Sequence, residues 1–281
     1  MPYPVVSDTA FFIESPMTTF PVPTTLPTEE NKEGGVMIVL ASGYGPQQSA
    51  ARRSFFSDTG VDKGAVLNRF VTWFDQWSLP LAKRRGADTS FDRRFFCIEW
   101  PESDIGPAHG PQQVARFADR IDELVRVVEE RRPKIVVFLS CYLWQAVNLP
   151  DSMQALQKAW GAPKSAGRRL SSHRLGAFHQ SWDKVEIIAL PMPSKNTTDA
   201  FVLSLAQPVH AIFDKVGFLP DGSSDPLILQ AARCLVLDKD ASIQRIRTQL
   251  HITPERARSL FNGLQGVVYE QEATGQLTLK S

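Results

Sequence analysis

Cysteine is scarce: Cys97, Cys141 and Cys234 are the only three in 281 residues, far apart and without a CxxC pair. Such spacing supplies neither a zinc knuckle nor a disulfide framework, so free thiols in a reducing cytoplasm are the expected state. No apolar run approaches the roughly 18 to 20 residues of a bilayer-spanning helix. The amino terminus also has no basic segment leading into an apolar one, so the expected location is cytoplasmic, with no membrane partner. Net charge is lacking too, since 31 lysines and arginines face 30 aspartates and glutamates. That balance excludes a globally basic nucleic-acid coat but leaves room for local basic patches. His109, His173 and His179 show no metal-ligand spacing, and no metal or cofactor is expected.

What is present is ordinary globular sequence, 43% hydrophobic and 22% charged, long enough for a medium domain plus a small one. Residues 1–35 include "FPVPTTLPTEENKEGG" and read as a loosely ordered arm. The folded body is expected from Val36. "VMIVLAS", "RFFCIEW", "KIVVFLS" and "VEIIALPM" are short apolar strands. Helices are predicted over "VLNRFVTWFDQWSLPLA", "VARFADRIDELVRVVEERR", "YLWQAVNL" and "TDAFVLSLAQPVHAIFDKV", the second with Val114, Phe117, Ile121, Leu124 and Val128 on one face. Alternating strands and helices imply an α/β fold over 36–219, a parallel-sheet three-layer sandwich with its ligand crevice at the carboxyl ends of the strands.

"LPDGSSDP" breaks the pattern and reads as a linker. Beyond it, residues 220–281 give three short helices and a hairpin around "EATG", the composition of a small winged helix-turn-helix domain. Thr253 and Pro254 form an N-cap with proline at the first helical position. The segments "DPLILQAARCLVL", "ASIQRIRTQLHI" and "ERARSLFNGLQ" make this part similar to the gamma domain of the FtsK family of DNA translocases. The resemblance implies double-stranded DNA as partner and Pro254 to Gln265 as recognition helix. It places Arg256 and Arg258 toward bases and Asn262 toward adenine or a phosphate, with Arg245 and Arg247 on backbone phosphates. Glu255 departs from the family pattern, so no target sequence carries over.

In the larger segment, "MIVLASGYGPQQ", "RFFCIEWPESD", "RRPKIVVFLSCYLWQAV" and "VEIIALPMPSKNTTDAF" follow one another in the order of the uracil-DNA glycosylase superfamily, which the chain resembles. The resemblance implies a fold of uracil-DNA glycosylase type whose loops hold a flipped base. Its pocket would be formed by Gly43, Tyr44, Gly45, Pro46 and Gln47, by Trp100, and by Met192, Pro193, Ser194 and Asn196. In that family a carboxylate or amide in the first motif positions water or stabilises the oxocarbenium sugar, and usually a histidine in the last loop supports the departing base. Here Tyr44 and Gly45 stand at the first and Met192 at the second, which argues against conventional uracil excision.

Two readings stay open. In one, the body is a silent glycosylase-like domain that holds DNA while the winged helix reads sequence, as in a regulator or a mobile-element protein, alone or with a second copy or protein partner. In the other, it excises a bulky modified base with a carboxylate drawn from Glu99, Glu102 or Asp104, residues that also read as a solvated acidic turn or a helix-capping group. Trp100 is a stacking platform or a core residue. Lys164, Arg168, Arg169 and Arg174, an acid-free stretch, and Lys195 at a helix start are a phosphate clamp or a solvated face.

Overall fold

The computed structural model describes residues 28–41, 64–81, 89–101, 110–194, 196–220, 225, 227–238, 242–250, 252–264, 269–271 and 277–279. The loop from Gly43 to Gln47, together with Glu102, Asp104 and Lys195, lies outside the described residues.

Five consecutive apolar residues form β1 (Val36–Leu40), buried at every position. After it come α1 (Gly64–Gln76) and α2 (Ser90–Arg93), the latter closed by a capping box between Thr89 and Asp92. The chain continues through β2 (Phe95–Glu99), α3 (Pro111–Ala118), α4 (Ile121–Arg131) and β3 (Ile135–Phe138). Then follow α5 (Cys141–Val147), α6 (Pro150–Trp160), β4 (Arg168–Arg169), β5 (Phe178–Ser181) and β6 (Glu186–Ala189). The strands make one sheet in the order β2-β1-β3-β6-β5-β4, parallel through β6 and antiparallel at β5 and β4.

Because side chains alternate across a strand, the buried run of β1 feeds two cores. Val36, Ile38 and Leu40 join Trp77, Phe74 and Phe213 on one face, whereas Met37 and Val39 join Phe117, Leu124 and Trp160 on the other. Helices α3 to α6 cover the second face. The first is covered by α1, by α7 (Asp199–Ser204) and by α8 (Ala206–Val216).

Three expectations need correction. The folded body begins before Val36: Asn31 is buried, its amide donates to the Arg93 carbonyl at 2.6 Å, and Arg131 donates back to its side chain at 2.8 Å. The long amphipathic helix is two, broken at Asp119–Arg120, and the Arg120 carbonyl released there accepts the Trp100 indole N–H at 2.9 Å. The last body helix also divides, at Leu205, because Pro208 has no N–H for the Ser204 carbonyl.

Past residue 225 come α9 (Ile228–Asp238), α10 (Ile243–Leu250), α11 (Pro254–Gly263) and the hairpin of β7 (Tyr269–Gln271) and β8 (Leu277–Leu279). Thr253 caps α11 by accepting the Arg256 backbone N–H, with Pro254 opening the helix. The three helices pack chiefly on one another, around Leu235, Ile246, Ala257 and Leu260.

Candidate functional site

In a parallel sheet a crevice forms where neighbouring strands send their connections to opposite sides. In this sheet the connection after β1 leads to β2 and the one after β3 leads the other way. Beside that point, at the carboxyl ends of β3 and β6, lies a cleft of about 870 Å³, within the size range of small-ligand sites.

Local sequence explains its walls. Ser140 follows β3 and caps α5 through its side chain, which sets Cys141 and Tyr142 at the rim. Thr198 caps α7 in the same manner, placing Phe201 opposite. The 191–196 loop after β6 contributes Met192 and Asn196; it is braced where Thr197 Oγ1 accepts the Ser194 N–H at 2.9 Å and donates to the Ser194 carbonyl at 2.6 Å.

The third wall is the connection between β4 and β5, carrying His173, Arg174 and Gly176. It has no regular structure, and one guanidinium organises it: Arg169 donates to the carbonyls of Ser171 at 2.9 Å, Arg174 at 3.1 Å and Leu175 at 3.4 Å, and also to that of His173. Ser171 ties it to α7 through a 2.9 Å contact with the Ser204 hydroxyl. At Gly176 any Cβ would stand 2.8 Å from the Phe178 ring, so the chain passes closer there than a side chain allows.

The cleft is aromatic and polar but has no carboxylate among the described residues lining it. Burial pushes the Cys141 thiol above its ordinary range, only partly offset by Arg169, and its Sγ–H faces the Gly176 carbonyl at 3.4 Å. Both features favour the thiol over the thiolate, the form that nucleophilic attack needs. The His173 ring meets Phe201 edge-on, 6.0 Å between centroids. Among the described residues no three His, Cys, Asp or Glu side chains converge as metal ligands.

Of the expected pocket residues, Met192 and Asn196 line this cleft; Pro193 is buried and Ser194 half-buried beside them. Trp100 is a correction. It is fully buried, packed at a tilt against Phe117 with ring centroids 5.8 Å apart, and bonded through its indole N–H, so no ring face is open to a base. Glu99 ends β2 half-exposed, in register with Leu40.

The expected basic clamp is mostly committed elsewhere. Lys164 pairs with Asp183 at 3.7 Å, Arg168 donates to His179 Nδ1 at 3.2 Å, and Arg169 holds the loop. Arg174 alone of the four lies at the cleft. On the C-terminal helices, Arg247, Arg258 and Asn262 are exposed, while Arg245 is half-buried. Arg256 departs from expectation: it turns inward to an ion pair with Asp225, and its Nε is buried without a partner among the described residues.

Sequence reading overlooked Tyr142, Cys141 and Phe201. The signal was available for the first two, since they directly follow the strongest strand, where crevice residues arise. No helix among the described residues is long and apolar enough to cross a membrane. No protein-family model matches the chain, and no curated protein sequence matches it.

Proposed function

We propose that this protein binds double-stranded DNA and that its α/β body, of uracil-DNA glycosylase type, holds a base or nucleotide without cutting the glycosidic bond. In this reading α9 to α11 and the β7–β8 hairpin form a winged helix, and Arg247, Arg258 and Asn262 face the duplex. The observation that supports it is the donor set of the cleft. Tyr142 and His173 offer ring surface, Asn196 and Arg174 offer polar contact, and no carboxylate stands among the described lining residues to stabilise an oxocarbenium sugar.

The test is a pair of assays on one preparation. Fluorescence anisotropy with a random duplex should show binding that weakens with salt, and Arg258→Ala should lower the slope of log K against log salt by about one. Arg174→Ala and Asn196→Ala should weaken binding with no loss of thermal stability. Duplexes carrying uracil, thymine mismatches or bulky modified cytosines should stay intact after alkali. Breaks that vanish in Glu99→Gln, Glu102→Gln or Asp104→Asn would install excision of a modified base instead, and a salt-insensitive or undetectable anisotropy change would remove DNA as the partner.

A further inference from the structure

The sheet has a second hollow at its other end. About 550 Å³ in volume, it lies where β3 and β6 begin, whereas the cleft described above lies where they finish. Four cations line it, Arg132, Lys134, Lys158 and Lys184, against two carboxylates, Glu33 and Glu129. Both carboxylates are already engaged: Glu33 takes Arg132 at 2.6 Å and Glu129 takes Lys158 at 3.2 Å. Neither Lys134 nor Lys184 has an acceptor for its ammonium among the described residues.

The backbone fixes where these two lysines start. Lys134 directly precedes β3, donates its N–H to the Gly35 carbonyl at 2.9 Å and accepts the Glu186 N–H at 3.0 Å, so the entries of β1 and β6 hold it from either side. Lys184 donates its N–H to the Trp160 carbonyl at 3.0 Å, which sets it at the end of α6. Helices α4 and α6 both finish at this hollow, and free carbonyls at a helix end commonly recruit lysines. Here backbone groups bond them instead: the N–H groups of Arg132 and Gly34 take the Val128 and Arg131 carbonyls of α4, and those of Gly161 and Lys184 take Gln157 and Trp160 of α6. The ammoniums of Lys134 and Lys184 bond none of them.

A third donor belongs to the same wall. Trp160 is 1% exposed and lines the hollow, yet its indole N–H is buried with no acceptor among the described residues. Buried donors are nearly always paired, and one left over points to a water or an ion from outside the chain. Unpaired like charges on a concave, partly apolar wall also focus a positive field, which raises the local concentration of anions.

We propose that this hollow binds a small ligand carrying a phosphate dianion, held by Lys134 and Lys184 with Trp160 at its side. A dianion with three or more acceptor oxygens matches two ammoniums and an indole donor, while Arg132 and Lys158, mostly exposed, add charge at the rim. Pro133 and Ala159 leave an apolar stretch for the uncharged part of the ligand, and the volume lies within the range of small-molecule sites. The hollow shares no lining residue with the cleft and none with the C-terminal helices, so it stands apart from the DNA-binding reading.

Isothermal titration of the full chain at low salt tests the site, with inorganic phosphate and pyrophosphate as probes. The parent should bind pyrophosphate at one saturable site that weakens as salt rises. Lys134→Gln with Lys184→Gln should raise Kd about tenfold or more, the factor for losing one charge-assisted hydrogen bond. Lys134→Arg with Lys184→Arg keeps both charges and should retain binding. Both lysines are exposed, so the double variants should fold as the parent does, which circular dichroism checks. No saturable binding by the parent, or equal binding by the glutamine variant, overturns the site. Loss of binding in Arg174→Ala instead moves the anion to the cleft and overturns it as well. A duplex without terminal phosphates that displaces pyrophosphate would give the hollow to the nucleic-acid backbone and overturn the small-ligand assignment.

Discussion

Replacing Glu186 tests a buried polar cluster that joins β5, β6 and α8. Its Oε2 accepts His179 Nε2–H and the Ser181 hydroxyl, each at 2.7 Å, and its Oε1 accepts Lys215 Nζ at 2.5 Å. Arginine can only donate, so the Arg168 bond to His179 Nδ1 requires a lone pair there and a neutral ring with its proton on Nε2. Glu186 and His179 are 8% and 6% exposed at their side chains, whereas Lys215 is 57% exposed and loses little by returning to water. In Glu186→Leu the imidazole N–H and the serine hydroxyl are left buried without an acceptor, about 1–3 kcal/mol each, for a total near 4 kcal/mol. Glu186→Gln still offers one oxygen and should cost about 2 kcal/mol. Urea unfolding at pH 7.5 with unchanged m-values reads both. A Glu186→Leu stability within about 0.5 kcal/mol of the parent would mean the cluster is solvated and the reasoning wrong.

The same cluster fixes a pH dependence. Burial holds His179 below its ordinary 6.5, outweighing the upward pull of Glu186. Its contribution is therefore complete above pH 6.5 and is lost as pH falls toward the depressed folded value. Burial pushes the Glu186 carboxyl up, but bonds from Lys215, Ser181 and His179 together hold it below 4.5, so its share is lost only at lower pH still. Parent stability should thus decline in two stages on acidification, and Glu186→Gln should lack the second.

Other substitutions probe separate links. Asn31→Ala should cost about 2–4 kcal/mol in chemical denaturation, because the Arg93 and Phe95 carbonyls and the Arg131 guanidinium lose a shared buried partner. Gly35→Ala should cost more than about 2 kcal/mol, since the residue sits at φ +76° and a Cβ would stand 2.4 Å from the Arg94 carbonyl oxygen. Arg169→Lys should leave the sheet intact and raise amide exchange in residues 171–175, because an ammonium cannot reach four carbonyls from one planar fork.

The parallel strands were legible because burial on both faces writes an unbroken apolar run, as in "VMIVLAS" and "KIVVFLS". The antiparallel strands β4 and β5 were not. Their residues, Arg168–Arg169 and Phe178–Ser181, carry the charges and hydroxyls of the Glu186 cluster and read as loop. Helix α6 was overlooked, and both divided helices were read as continuous because periodicity survives a one- or two-residue break. At the cleft, Met192 and Asn196 were expected from the resemblance of the last strand and its loop, together with the rule that loops at the carboxyl ends of strands form the crevice. Trp100 was not resolved between platform and core, since its fate depends on the Arg120 carbonyl twenty residues away. Arg256 shows the same limit: a cation on a helix reads as ligand-facing until the helix is placed against Asp225.

The two-residue strand β4 has a consequence of its own. A long exposed edge is a template on which a stray chain can lay another strand and begin aggregation. Here the sheet ends on two exposed arginines, and one of them bends back at once to hold the loop that follows. Too few backbone donors and acceptors remain in line for an incoming strand, and any that approaches meets positive charge. The arginine pair, of which Arg169 shapes the cleft wall, thus also ends the sheet, so a change that straightened and neutralised it would cost colloidal stability even if the body stayed folded.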